Sequence, residues 1–281
     1  MDTSATPGNG GYSIFKDTMA DMTFPELARA AERRAVVLWA LGVIEQHGPH
    51  LPLGTDVYMP SELLRRVRRL LAEKGVESVI APPFYWGVNQ VSGMFPGSFV
   101  VRPETMIELM VDLIKSLKKD SFANLFCVSG HGDALHNRTV HAGIKRGADE
   151  SGVKAYFVGG PSFFKRIGIA AADPYILPTP GELERPGKYF DVHAGKYETS
   201  SMWAVYPGLV KDGMLPALKS TDFVIDDIAE WRKGGEHSLR KTPQGYLGDP
   251  AASDRGFGEE IMAAHAALVA AAIVDKIGRD R

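Results

Sequence analysis

The sequence predicts an α/β fold: a three-layer α/β/α arrangement around a mostly parallel central sheet. Three observations predict it. Short apolar, β-branched runs alternate with amphipathic stretches from residue 23 onward. The links between them are short, and no linker, repeat or low-complexity tract interrupts them. The apolar share, 44% of 281 residues, is enough for a full core. A single domain over 21–281 follows, with a polar, glycine-rich and flexible arm expected over 1–20.

"TFPELARAAERR" (23–34) reads as a helix capped by Thr23, with Glu26 three residues on to complete a capping box. "AVVLWALG" (35–42) is a continuous apolar run, the mark of a strand buried on both faces. In "SELLRRVRRLLAEKG" (61–75), Leu63, Leu64, Val67, Leu70 and Leu71 form a helical stripe and Gly75 a stop. "SVIAPP" (78–83) is a strand ended by prolines, and 103–120 a helix opening on Pro103. A strand over 123–130, a helix over 137–152 and a strand over 154–160 continue the alternation. The stretch 161–192, rich in proline and aromatics, has no clean period; so long a loop in a compact domain is usually functional. Helices over 193–206 and 256–278 close the chain, the last with Ile261, Ala264, Leu268 and Ala272 on its inner face.

A net charge of −2 argues against a nucleic-acid or anionic-membrane surface, both of which need a basic face. The single cysteine, Cys127, excludes an internal disulfide and fits a reducing, cytoplasmic setting. No run of about 18 apolar residues is present, so no membrane-spanning helix is expected. The first residues show neither the basic start nor the apolar stretch of a signal peptide.

Three clusters could carry chemistry. "GVIEQHGPHLPLGTD" (42–56) places Glu45, His47, His50 and Asp56 directly after the strand 35–42. Ligands of parallel α/β sheets sit at that carboxyl end. Extended backbone would project Glu45 and His47 to one side, and Asp56 returns after the Pro/Gly turn. "SGHGD" (129–133) brings His131 and Asp133 to the next strand exit, and "DVHAGKYETS" (191–200) adds Asp191, His193 and Glu198. Carboxylate and imidazole are the donors that suit Zn, Mn or Fe. His50 either orients a ligand or simply serves the turn. Tyr85, Trp86 and Trp203 either stack on a flat substrate or belong to the core. Substrate choice is expected to lie in 161–192 and 84–98.

The segments "EQHGPHLPLGTD", "GHGD…N", "HAGKYETS" and "GYLGDP" (245–250) resemble, in order and spacing, those of the creatininase (creatinine amidohydrolase) family. The resemblance implies a creatininase-like fold, two divalent metal ions per subunit and a homo-oligomer, a hexamer. It makes Asp56 the bridging ligand, Glu45 and His131 ligands of one metal, and His47 a ligand of the other. The second metal's acidic ligand falls on Asp133, one methylene shorter than the family's glutamate, with Glu198 as its alternative. His193 and Glu198 become the catalytic proton carriers. The implied reaction is opening of a small cyclic substrate, a cyclic amide or related C–N bond, by metal-activated water. The alternatives are C–C ring opening of a cyclic polyol diketone, as in a dehydro-inosose hydrolase, and a non-catalytic metal-binding protein keeping the fold. The expected partner is a small molecule, with no nucleic acid and no membrane.

Overall fold

The computed structural model describes residues 11–183 and 189–279. Five strands, all parallel, form one sheet in the order β2-β1-β3-β4-β5 among the described residues. They are β1 (Val36–Leu41), β2 (Ser78–Ile80), β3 (Asn124–Ser129), β4 (Lys154–Gly159) and β5 (Ile176–Pro178). The sheet is thus wholly parallel, and its fifth strand comes from the stretch expected to be irregular. β2 stops at Ile80 because Pro82 and Pro83 have no N–H to offer a ladder.

Helices fill both faces. They are α1 (Phe24–Glu32), α2 (Thr55–Glu73), α3 (Pro103–Lys119), α4 (Ala134–Ser151), α5 (Pro161–Ile167), α6 (Lys196–Val205), α7 (Ile225–Trp231), α8 (Glu236–Lys241) and α9 (Arg255–Arg279). All six residues of β1 are buried, as its unbroken apolar run predicts. Alternate side chains divide between two cores. Val37, Trp39 and Leu41 pack with Met106, Met110, Val140 and Ile144 of α3 and α4. Val36, Leu38 and Ala40 pack with Leu64, Val67 and Leu71 of α2 and with Met262, Val269 and Ile273 of α9. Burial of the larger of these side chains contributes about 1.5–3 kcal/mol each.

Three helix starts and one helix face differ from expectation; α6, for one, begins at Lys196 rather than at residue 193. α2 begins six residues earlier, at Thr55, and runs through Pro60, which forfeits one helical hydrogen bond to the Asp56 carbonyl. α4 begins at Ala134, with Asp133 as its N-cap. The inner face of α9 is Met262, Ala266, Val269 and Ile273; of the residues expected there only Ala272 is buried, and Leu268 faces a cleft instead. α9 also carries an 18-residue window of mean hydropathy 1.6, long and apolar enough to span a bilayer by composition alone. Its buried side chains belong to the core it shares with α2 and the sheet. Residues 1–10 of the expected arm lie outside the described residues. Beyond them, the carbonyls of Ser13 and Lys16 accept hydrogen bonds from Arg65 of α2 at 2.9 and 3.1 Å, and Tyr12 packs edge-on against Tyr206.

Candidate metal centre

The centre forms where β1 and β3 end. Past Leu41 the chain turns through Gly42 and runs to Glu45 and His47, while β3 delivers His131. α2 brings Asp56 in its first turn, where the helix dipole favours a carboxylate. Pro60, one turn on, has no N–H for the Asp56 carbonyl, and that oxygen is pressed against the two strand ends. A Cβ on Gly42 would stand 2.1 Å from it, and one on Gly130 2.3 Å. Only glycine at both positions lets the helix approach so closely.

Six side chains converge. The Asp56 carboxylate lies between two histidines: Oδ1 is 3.1 Å from His47 Nε2 and Oδ2 is 2.9 Å from His131 Nδ1. Glu45 Oε1 is 3.2 Å from His131 Nδ1 and 3.5 Å from His193 Nδ1. Glu198 Oε2 reaches within 3.6 Å of His47 Nε2 while accepting the Ala194 N–H at 2.6 Å. Three donor groups result: Glu45, Asp56 and His131; His47, Asp56 and Glu198; Glu45, His47 and His193. Glu45, His47, Asp56 and His131 are each at least nine-tenths buried. Yet Glu45 Oε1 and Asp56 Oδ2 make no hydrogen bond despite their imidazole neighbours. Buried carboxylate oxygens without donors are costly, and lone pairs converging on a common point are what a cation requires. The residues fit a divalent metal.

The charges agree. Burial alone would push the His47 pKa down; Asp56 above all, then Glu198 and Glu45, reverse this and raise it to about 10. Glu45 and Asp56 likewise overcome burial at His131 and hold it well above its ordinary value. Burial would raise the Asp56 carboxyl, but His47 and His131 keep it well below the usual carboxylate range. The cluster is therefore a strong cation trap, filled by protons when no metal is present.

Second partners fix these groups. The Ser92 hydroxyl donates to Glu45 Oε2, and the His47 Nδ1 lies 3.2 Å from the Glu45 carbonyl. His193 Nε2 lies 2.8 Å from the Gln46 carbonyl and 3.0 Å from the Gln46 side-chain nitrogen, which hold the ring with its Nδ1 towards Glu45. Burial and the charge of His47 bring His193 down to about 4, leaving it neutral at pH 7. The indole of Trp231 lies 6.0 Å from its ring. "GYLGDP" supports this loop: His193 and Leu247 exchange backbone hydrogen bonds at 3.1 and 2.7 Å.

Asp133 does not join the donors. Its Oδ1 accepts from the N–H groups of Leu135 and His136 at 2.7 and 3.1 Å, and Oδ2 from those of Gln90 and Val91 at 2.9 and 3.2 Å. One methylene shorter than a glutamate, it caps α4 and ties down the 90–92 loop. Glu198 stands where the second group needs an acid. Asp191 is similarly committed, accepting from the N–H groups of Lys196, Tyr197 and Asp249. His50 is buried and bonds Thr199 Oγ1 at 2.8 Å, holding the turn to α6. Tyr85, Trp86 and Trp203 line neither cavity at the centre, whereas Phe163, Tyr189, Phe190 and Trp231 do. The sequence patterns do not single out Ser92, Gln46, Trp231, Arg166 or Arg232. Of these only Gln46, inside the densest motif, carries a signal.

The family described as Creatininase: Creatinine amidohydrolase matches residues 20–273. The chain belongs to the creatininase family. It is 27% identical over 231 residues to the mycofactocin precursor peptide peptidase of Mycolicibacterium smegmatis, covering 81% of this chain and 80% of that one. It is 28% identical over 202 residues to the creatinine amidohydrolase of Pseudomonas putida, covering 68% of this chain and 73% of the other. Among solved structures, a tryptophan-to-alanine mutant of a creatininase superposes with a TM-score of 0.69 at 22% identity, over 92% of this chain and 98% of that one. Other creatininase structures of this fold are a Mn form and a Zn-Zn type. The chain is thus a creatininase-family hydrolase whose buried donors suit a divalent metal.

Proposed function

We propose that this creatininase-family hydrolase cleaves an amide C–N bond with two divalent cations per chain. Glu45, Asp56 and His131 would hold one; His47, Asp56 and Glu198 would hold the other. The observation that carries the reading is the Asp56 carboxylate, whose two oxygens face two different histidines at 3.1 and 2.9 Å. A carboxylate shared in this way would serve both donor groups at once. Zn, Mn and Fe all suit carboxylate and imidazole donors.

When bound, such a pair polarises a carbonyl and acidifies water towards a pKa of about 7. The remaining work falls to the chain. His193, neutral and with Nδ1 turned towards the cluster, takes a proton there and returns it to the departing nitrogen. Gln46 holds the ring in place, and Trp231 limits its motion and its exposure to water. Ser92 holds Glu45 in place.

An amide is favoured because the matched relatives include an amidohydrolase and a peptidase. A cyclic amide, the substrate the motifs point to, and a linear one are opened by the same attack. A panel of cyclic and linear amides, assayed after chelation and again after adding Mn²⁺ or Zn²⁺, tests the reading. Hydrolysis should vanish and return; turnover that survives complete chelation would remove the proposed chemistry. In His193→Asn, metal content should stay at two ions per chain while turnover falls by about 10²–10⁴-fold. A loss of metal would make His193 a ligand instead.

A further inference from the structure

We propose that the mouth of this centre is an anion subsite, so that the substrate is an amide carrying a carboxylate close to the bond that is cut. The proposal rests on the hydrolase reading above and names its substrate class.

Two cavities meet at the donors. The inner one, about 90 Å³, is walled by Glu45, Asp56, His131, His193 and Glu198 among others. The outer one, about 630 Å³, spreads over the carboxyl ends of β3 and β4 and past Thr179. His131, Gly132, Arg166, Val192, Glu198 and Arg232 border both. Among the described lysines and arginines, only Arg166 and Arg232 line either cavity, and both stand at the junction. Arg166, from α5, donates Nη1 to the Gly132 carbonyl at 3.2 Å, which sets its guanidinium beside the residue that follows His131. Arg232 follows Trp231, the residue packed against His193. Two elements distant in sequence thus each place an arginine on the rim shared by the cavities, and the space beside Gly132 is open: a Cβ there would meet nothing within 4 Å.

Among the described residues, the other acids of the outer wall accept hydrogen bonds from neighbouring groups. Asp191 caps α6, and Glu182 accepts from the N–H and hydroxyl of Ser162. The three donor carboxylates are outweighed by two divalent cations, so the loaded centre and the arginines attract the same sign of charge. A planar guanidinium binds a carboxylate through two parallel hydrogen bonds, and a carboxylate is an anion that amides commonly carry as a neighbour. The cavity sizes point the same way. An outer space of about 630 Å³ is that of a drug-sized ligand, more than a bare small ring fills.

The test uses the metal-loaded full chain and two probes that contain no amide, N-methylsulfonyl-glycine and its alcohol analogue N-methylsulfonyl-ethanolamine, titrated by calorimetry. The carboxylate should bind at least about tenfold more tightly than the alcohol. Arg166→Gln and Arg232→Gln should each lower that ratio about threefold or more, and the double variant should bring it close to one. Both side chains are exposed, so the variants should fold, and melting curves check this. A wild-type ratio near one overturns the proposal. So does a preference that persists in the double variant, because the carboxylate would then be held by the metals alone. Chelation-sensitive turnover of the amide panel is read separately. A chain that hydrolyses amides without preferring the carboxylate probe fails only here; one that prefers it without turnover fails only the hydrolase reading.

Discussion

Asp56 and Asp133 are both buried aspartates at helix N-termini, and their partners separate them. Asp56 faces imidazoles and leaves an oxygen without a hydrogen bond, whereas Asp133 satisfies both oxygens with four backbone N–H groups. Opposite outcomes follow from substituting them. Asp56→Asn removes the bridging charge, and metal content should fall below one ion per chain with turnover down by about 10³-fold, several kcal/mol of barrier. Asp133→Ala should leave metal stoichiometry at two but destabilise the fold by about 1–2 kcal/mol, the usual cost of a lost cap. Metal analysis and urea unfolding, run on both variants, separate ligand from cap; metal loss in Asp133→Ala would return Asp133 to the ligand set. From sequence alone the two are alike, since an acid near a histidine at a strand exit serves either role. Glu198 is legible only as an alternative for the same reason. Arg232 follows a helix that the hydrophobic pattern leaves unassigned.

At the scale of elements, the centre depends on how closely α2 meets the ends of β1 and β3. A methyl group on Gly42 would lie 2.1 Å from the Asp56 carbonyl oxygen, a backbone atom that no rotamer change can move aside. Gly42→Ala should therefore push the first turn of α2 outward, costing about 1–3 kcal/mol. Metal affinity should fall with it, although Ala touches no donor. Thermal melts with and without metal check this; a variant melting as wild type with full metal content would show the approach to be unimportant. The strands that frame this contact are plain in the sequence because β1 and β3 are buried on both faces and read as unbroken apolar runs. The start of α2 is not, because Gly54 and Pro60 read as loop, whereas the helix runs through Pro60 at the loss of one backbone hydrogen bond. α5 and β5 are hidden because seven and three residues are too short to establish a period. The phase of α9 escapes the pattern because an alanine-rich helix has nearly equal hydrophobicity on every face.

For the molecule as a whole, protons and cations compete for one site. In the metal-free protein His47, raised to about 10, and His131, held well above 6.5, are both charged at neutral pH, while in the unfolded chain they titrate near 6.5. Between these limits the folded state binds more protons than the unfolded one, so stability falls as pH rises. The stabilisation is complete below about pH 6.5 and is lost on passing through the folded-state values. Cations remove this dependence, since the ligating imidazoles must be deprotonated first. The Tm of chelated protein should therefore decline steadily from about pH 7 to about pH 9.5, while that of loaded protein should change much less over the same range. Metal titrations at about pH 7 in buffers of different ionisation enthalpy should report about two protons released per chain, from His47 and His131. Uptake without proton release would mean that the imidazoles are already neutral, and the chelated protein should then show no decline at all. The two measurements must agree, because both count the same protons.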